Sequence, residues 1–194
     1  MELILFRHGI AVDRDSPEAP AEDGDRPLTK LGRKRTELAA WGLRRLDVDP
    51  RRVYTSPFVR ARQTTDILAK VFGLPEAAIV ETPTLILARD PAEFRAEVAA
   101  ETRRTVVVIG HNPHLEALAA ALMGATLPEP LELKKAGAAC FDLPAGPNKP
   151  GTLRWLLQPK MLRVLGKRWL DSSPRRPEER SGARARRGDD DSAS

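Results

Sequence analysis

Thiols are almost absent from this sequence. Cys140 is the one cysteine, which excludes an internal disulfide framework and any metal site built from several thiolates. Its context, Ala138-Ala139-Cys140-Phe141, is apolar, so a buried structural thiol is expected rather than a reactive one. No apolar run approaches the roughly 20 residues that cross a bilayer. Met1-Glu2-Leu3 lacks the basic stretch that opens a signal peptide, so a cytoplasmic location without membrane contact is expected. Histidine is nearly as scarce, with three in 194 residues. All three fall in two short motifs, at positions 8, 111 and 114.

What is present describes one globular unit. A chain of 194 residues with 41% hydrophobic content suffices for one domain with a substantial core and hardly for two. The formal charge of +5 suggests anionic partners without identifying them, and a solvated surface is the stronger account of it. From Ser172 onward the composition turns to Arg, Pro, Ser, Gly and Asp without a large apolar residue. Such a segment buries too little surface to offset its ordering entropy, which predicts a domain over 1–171 and a disordered tail over 172–194. Arg184-Ala185-Arg186-Arg187 adjoins Asp189-Asp190-Asp191, so nucleic-acid binding is not expected.

Along the domain, strand and helix signals alternate, which predicts an α/β fold: a mixed, mainly parallel sheet with helices on both faces. Leu3-Ile4-Leu5-Phe6 is too short for a helix and is followed by Arg7-His8-Gly9, hence strand, then loop. Residues 9–27 have no apolar period. Thr29 can cap a helix whose Leu31, Leu38, Trp41, Gly42 and Leu46 share a face. A second strand is expected at 52–55. Ser56-Pro57 then reads as N-cap and first helical position, with Ala61, Thr65, Leu68 and Phe72 as the buried stripe. A short strand at 78–82, a helix over 91–100 capped by Asp90, and a strand over 105–109 follow. Asn112-Pro113 reads as a second cap and first position, ahead of Leu115, Leu118, Ala119 and Leu122. Residues 136–143 and 152–157 flank a turn-prone stretch and predict an antiparallel hairpin at the sheet edge. Lys160 to Leu170 mixes apolar and basic residues, and a terminal helix packing Leu162, Leu165 and Trp169 is expected.

The chemistry lies at strand ends. In a parallel sheet the carboxyl ends share an edge, where ligands bind, so Arg7 and His8, Arg60 after the second strand, and His111 after Thr105–Ile109 can converge. Two guanidinium groups, two imidazoles and helix N-termini suit a phosphoryl group, whose oxygens match the planar fork of arginine. Phosphate binding alone needs no histidine next to Arg7. An imidazole among cations stays neutral, because protonation would add a like charge. It can then attack phosphorus and hold the phosphoryl group while the cations stabilise its oxygens. The arginines take the electrostatic role a metal would have, and neither metal nor cofactor is expected. His111 and His114, at i and i+3, lack an evident third ligand.

Arg7-His8-Gly9-Ile10-Ala11, Arg26-Pro27-Leu28-Thr29 with Gly32, Ser56-Pro57-Phe58-Val59-Arg60-Ala61 with Gln63-Thr64, and Gly110-His111-Asn112-Pro113 together resemble the histidine phosphatase superfamily, and within it the bacterial phosphohistidine phosphatases of the SixA type. The resemblance covers about residues 1–165. It implies a single three-layer domain of the phosphoglycerate-mutase-like kind, with His8 as the nucleophile that becomes phosphohistidine. It further implies Arg7, Arg60 and His111 around the phosphoryl oxygens and Arg26 near the pocket. His114 matches no motif position, and a helix-surface place is expected for it; Arg62 is expected to face solvent or the pocket rim.

Two departures bear on the substrate. Mutases and sugar phosphatases of the superfamily follow Arg-His-Gly with Ser or Thr and then Asn, whereas Ile10-Ala11-Val12-Asp13 stands here. The span from Arg60 to His111 is also short, leaving little room for insertions that close over small metabolites. An open site suits a phosphorylated protein. Neither usual general acid is evident: Thr84 and Leu85 stand where mutase relatives carry a glutamate, and Asn112 where acid phosphatases carry an aspartate. An alcohol leaving group needs that proton, typically worth about 10²–10⁴-fold in rate, whereas imidazole leaves more readily. The expected partner is therefore a phosphohistidine-carrying protein, met by a monomer, with Glu81 and Asp90 as the remaining acids within reach. The alternatives are a small-molecule phosphomonoesterase or mutase and, from another class, a non-catalytic phospho-ligand binding module.

Overall fold

The computed structural model describes residues 1–86, 89–124, 131–144 and 149–172. Six strands form one sheet: β1 (Glu2–Arg7), β2 (Arg52–Thr55), β3 (Ile79–Glu81), β4 (Thr105–Gly110), β5 (Ala138–Asp142) and β6 (Thr152–Leu157), in the order β3-β2-β4-β1-β5-β6. The first four run parallel, while β5 pairs antiparallel with β1 and β6 antiparallel with β5. The expected edge hairpin is thus present, and the sheet is mixed and mainly parallel.

Among the described residues five α-helices cover it: α1 (Lys30–Arg45), α2 (Val59–Phe72), α3 (Pro91–Ala99), α4 (His114–Met123) and α5 (Pro159–Ser172). Alternation along the central strands sorts two cores onto opposite faces. Ile4, Phe6, Val107 and Ile109 pack with Leu43 of α1, Leu68 of α2 and Leu162 of α5. Leu3, Leu5, Val106 and Val108 pack with Phe94 of α3 and with Leu115 and Leu118 of α4. Cys140 is fully buried, and burial first, with Glu2 beside it, pushes its thiol up to about 12. Among the described residues no helix is long and apolar enough to cross a membrane.

Several local expectations are corrected. Leu31 and Leu46 of the predicted α1 face are exposed, and the buried positions are Gly32, Thr36, Ala39, Ala40, Gly42 and Leu43. The reason is the closeness of α1 to α5. A Cβ on Gly42 would strike the Leu162 carbonyl, and one on Gly166 the Leu38 carbonyl; overpacking of this kind costs about 1–3 kcal/mol. Neither proline-led cap forms as read. α2 starts at Val59 with Phe58 as its N-cap, and α4 starts at His114 with Pro113 as its N-cap. Thr29 and Asp90 do cap α1 and α3, accepting from the Gly32 and Ala92 amides. His114 is 2% exposed, buried rather than on a helix surface. Ser172, placed by composition in the tail, closes α5; the remainder of that expected tail lies outside the described residues.

Candidate active site

The sheet order sets β4 between β1 and β2, and the register pairs Arg7 with Gly110. The residues that follow each strand therefore emerge side by side at the carboxyl edge. The His8 amide donates to the Gly110 carbonyl at 3.1 Å, and the Ser56 amide to the Ile109 carbonyl at 3.0 Å. Two imidazoles distant in sequence consequently face each other, His8 and His111, with ring centroids 4.8 Å apart and planes tilted by 53°. They are 6% and 1% exposed.

Their wiring differs. His8 Nδ1 lies 2.7 Å from the Gly9 carbonyl oxygen, which can only accept, so Nδ1 carries the proton and Nε2 of the neutral ring keeps a free lone pair. Gly9 allows this turn to sit deep: a Cβ there would collide with Thr36 Oγ1 of α1. The Gly9 amide donates to Thr64 Oγ1, whose hydroxyl donates to the Arg60 carbonyl. His111 instead shares a 2.9 Å hydrogen bond between Nε2 and Ser56 Oγ, leaves Nδ1 buried without a partner, and packs against Phe58 at 5.0 Å. Burial is the main force pushing the His8 pKa down from 6.5 to about 3, against the Gly9 bond and with help from Arg60 and Arg7. Burial also leads for His111, pushed down to about 2, with His8 and Arg60 adding to it. Both rings are neutral near pH 7.

The cations approach from three elements. Arg7 donates from Nη1 to the Leu133 carbonyl at 2.9 Å. Arg60, 2% exposed, lies over the Phe58 ring at 4.9 Å and donates to the Asp23 carbonyl at 2.6 Å and to Asp23 Oδ2 at 2.9 Å. Arg26 forks onto Asp23 Oδ1 through Nε and Nη2 at 2.9 and 2.7 Å and reaches the Val12 carbonyl with Nη1. Arg26 is thus at the rim, joined to Arg60 through Asp23. Arg62 is paired with Glu81 at 3.3 Å and half exposed.

Asp23, which belongs to no sequence motif, joins these cations. It accepts from Arg14, Arg26 and Arg60 at once. Burial opposes its ionisation, but those three bonds outweigh it and hold the carboxyl well below the usual range. Asp23 lies in an aperiodic loop between charged and turn-forming residues, and no sequence signal separated it from them. Ser56 and Asn112 were visible but read as caps. The Ser56 hydroxyl holds His111, while Asn112 Nδ2 donates to Glu116 and to the Leu133 carbonyl. Glu81 and Asp90 are engaged elsewhere, with Arg62 and as the α3 cap. Thr82 and Thr84 both donate to Glu97 Oε2, at 2.9 and 2.8 Å. Among the described residues no group of three or more His, Cys, Asp or Glu is arranged to hold a metal.

Paired imidazoles at the edge of a mainly parallel sheet, flanked by arginines, define a phosphoryl-handling class of α/β protein, and the chain belongs to the histidine phosphatase superfamily, whose branch 1 model matches residues 3–86. Over 167 residues it is 30% identical to phosphohistidine phosphatase SixA of Escherichia coli K12, covering 84% of this chain and 98% of that one. An uncharacterised protein of Picosynechococcus is 41% identical over 139 residues, covering 71% of this chain and 82% of the other. The solved structure of the protein histidine phosphatase SixA complexed with tungstate superposes with a TM-score of 0.74 at 30% identity, covering 84% of this chain and 99% of that chain. The fold is the phosphoglycerate-mutase-like fold of that relative.

Proposed function

We propose that this protein is a phosphatase that removes the phosphoryl group from protein phosphohistidine in two steps through a covalent intermediate on His8. The observation that carries the reading is the wiring of His8: Nδ1 is tied to the Gly9 carbonyl, so Nε2 is left unprotonated on a ring that lies 4.8 Å from that of His111 and feels the charges of Arg60 and Arg7. In the first step the Nε2 lone pair bonds phosphorus as the bond to the substrate nitrogen breaks. That imidazole leaves with its electron pair and takes a proton. In the second step water attacks phosphorus, Nε2 regains its lone pair, and inorganic phosphate departs. Arg7, Arg60 and His111 hold the phosphoryl oxygens, and the charge they present is fixed before reaction.

Leaving-group chemistry supports phosphohistidine over an alcohol ester. Glu81 and Asp90 are engaged elsewhere, Asn112 Nδ2 donates hydrogen bonds to Glu116 and to the Leu133 carbonyl, and Asp23 is held ionised by three arginines. None is set to supply the proton an alkoxide requires, whereas a phosphohistidine ring can take a proton from solvent on its second nitrogen and depart as neutral imidazole. Kinship with SixA, seen also bound to a phosphate-shaped oxyanion, supports the same reading.

The test compares turnover of a phosphohistidine peptide with that of sugar phosphates, alongside trapping of radioactive phosphate on the protein. The expected result is preferred hydrolysis of the peptide and an acid-labile label that His8→Ala abolishes. Fast sugar-phosphate turnover overturns the substrate assignment in favour of a phosphomonoesterase or mutase. Binding without label or turnover marks a non-catalytic module.

A further inference from the structure

Arg7, adjoining His8, also lines a cleft of about 330 Å³ together with Ile10, Arg35 of α1, Arg163 of α5, and Lys134 and Lys135. Lys134 is paired with Glu132 at 3.4 Å. Among the described residues no ion pair reaches Arg35, Lys135 or Arg163. Like charges crowd one another here. After burial, the depressing influence on Arg163 is Arg35, and those on Lys135 are Arg7, Arg26 and Arg60, with Asp13 as the opposing acid.

The turn that carries Lys135 is strapped to the strand end bearing the nucleophile. Ala136 adopts a left-handed φ of 61°, a region costly for a residue with a side chain. Its amide donates to the carbonyls of Arg7 and His8 at 2.9 and 3.2 Å, and the Gly137 amide donates to the Lys134 carbonyl at 2.7 Å. From the other side, Asn112 and Glu116 bond the Leu133 backbone. The fold thus tolerates strain to fix the backbone that carries Lys135, which has no ion pair among the described residues, beside the reaction centre. Because His8, Arg60 and His111 already provide for one phosphoryl group, an occupant of the cleft is the part of the substrate next to that group.

Resting on the phosphohistidine reading above, we propose that the cleft formed by Arg35, Lys135 and Arg163 is a specificity site that receives Asp or Glu side chains flanking the phosphohistidine of the protein substrate. Carboxylates meet the guanidinium forks of Arg35 and Arg163 and the Lys135 ammonium, and a substrate with basic flanks is repelled.

The experiment measures kcat/KM of the full-length protein on two phosphohistidine peptides identical except for acidic or neutral flanks. A small substrate carrying a second phosphate, and its singly phosphorylated counterpart, serve as controls. The wild type is expected to prefer the acidic peptide by on the order of tenfold, as two or three exposed pairs allow, and mainly through KM. The preference is expected to fall toward one between ionic strengths of about 0.01 M and about 1 M, where the screening length shrinks roughly tenfold. In Arg35→Ala/Arg163→Ala, where Lys135 alone of the three cations remains, it is expected to fall to within about twofold at low salt, and Arg163→Glu is expected to lower it as well. The salt arm needs no variant and stands if either one misfolds. Equal turnover of the two peptides by the wild type, or a preference that survives both high salt and the double variant, overturns the cleft assignment alone. Selectivity for the bisphosphorylated small substrate without selectivity between peptides overturns the occupant named. Turnover of neither peptide overturns the phosphohistidine reading together with this one.

Discussion

The two strand-end motifs, Arg7-His8-Gly9 after β1 and Gly110-His111-Asn112 after β4, look alike in sequence and sit side by side, yet their imidazoles are bound in opposite ways. His8 holds its proton on Nδ1 against a carbonyl and offers Nε2, while His111 has Nε2 on the Ser56 hydroxyl. The backbone carbonyl is a fixed acceptor that dictates one tautomer. A hydroxyl can rotate and either donate or accept. The first arrangement suits a nucleophile that must present the same lone pair in every cycle. The second suits a partner whose hydrogen bond can be redirected when phosphoryl oxygens arrive. Under the proposed function, the two similar motifs thereby take unequal roles through their neighbours, Gly9 in one case and Ser56 in the other.

Breaking the comparison at its strong end gives the largest effect. His8→Ala is expected to lower kcat by at least about 10³-fold, because the proposed mechanism has no other acceptor for the phosphoryl group. Phosphate affinity, measured by calorimetry, is expected to persist in part through Arg7 and Arg60. Retention of normal turnover would place the nucleophile elsewhere. Arg60→Ala is expected to slow phosphorylation and dephosphorylation of the protein by about 10²–10³-fold each, in line with loss of one preorganised donor. Rapid-quench kinetics resolves the two steps, and unchanged rates would remove Arg60 from the pocket. Ser56→Ala sharpens the contrast at the His111 side. It deletes one hydrogen bond worth about 0.5–1.5 kcal/mol, so a loss within about tenfold in kcat/KM is expected, with the label still on His8.

Acidity tests both rings together. Their pKa values are pushed from 6.5 down to about 3 and about 2 in the folded protein, so between roughly pH 6.5 and pH 3 the unfolded chain binds more protons than the folded one. Their contribution is therefore fully retained above pH 6.5 and is lost as pH falls through that window. Urea titrations at pH 7 and pH 5 are expected to show a decrease of roughly 1–2 kcal/mol for each ring. His8→Gln/His111→Gln is expected to shrink that decrease, and an equal decrease in the variant would contradict the neutral state of the rings.

Much of this was legible in the sequence because it rests on local patterns. Apolar runs ended by glycine marked β1 and β4, and their carboxyl ends carry His8 and His111 side by side as the parallel-sheet argument requires. What was not legible depended on distant partners. Ser56-Pro57 and Asn112-Pro113 have the composition of caps, but the Ser56 hydroxyl bonds His111, 55 residues away, and Asn112 bonds the Leu133 carbonyl as well as nearby Glu116. The α1 face was misread because close contact with α5 selects glycine and alanine there and leaves Leu31 at the surface. Asp23 carries no periodic signal, and its importance arises only when Arg14, Arg26 and Arg60 meet it. No motif claims His114, so the sequence predicts a surface place for it, whereas the helix turns it inward.

The most direct measurement is the identity of the phosphorylated atom. Rapid trapping of the labelled protein under alkaline conditions, followed by peptide mapping and phosphorus–nitrogen correlation NMR, is predicted to show a single phosphohistidine at His8, substituted on Nε2. A phosphoryl group on Nδ1 of His8, or on His111, would contradict the wiring from which the rest of the account follows.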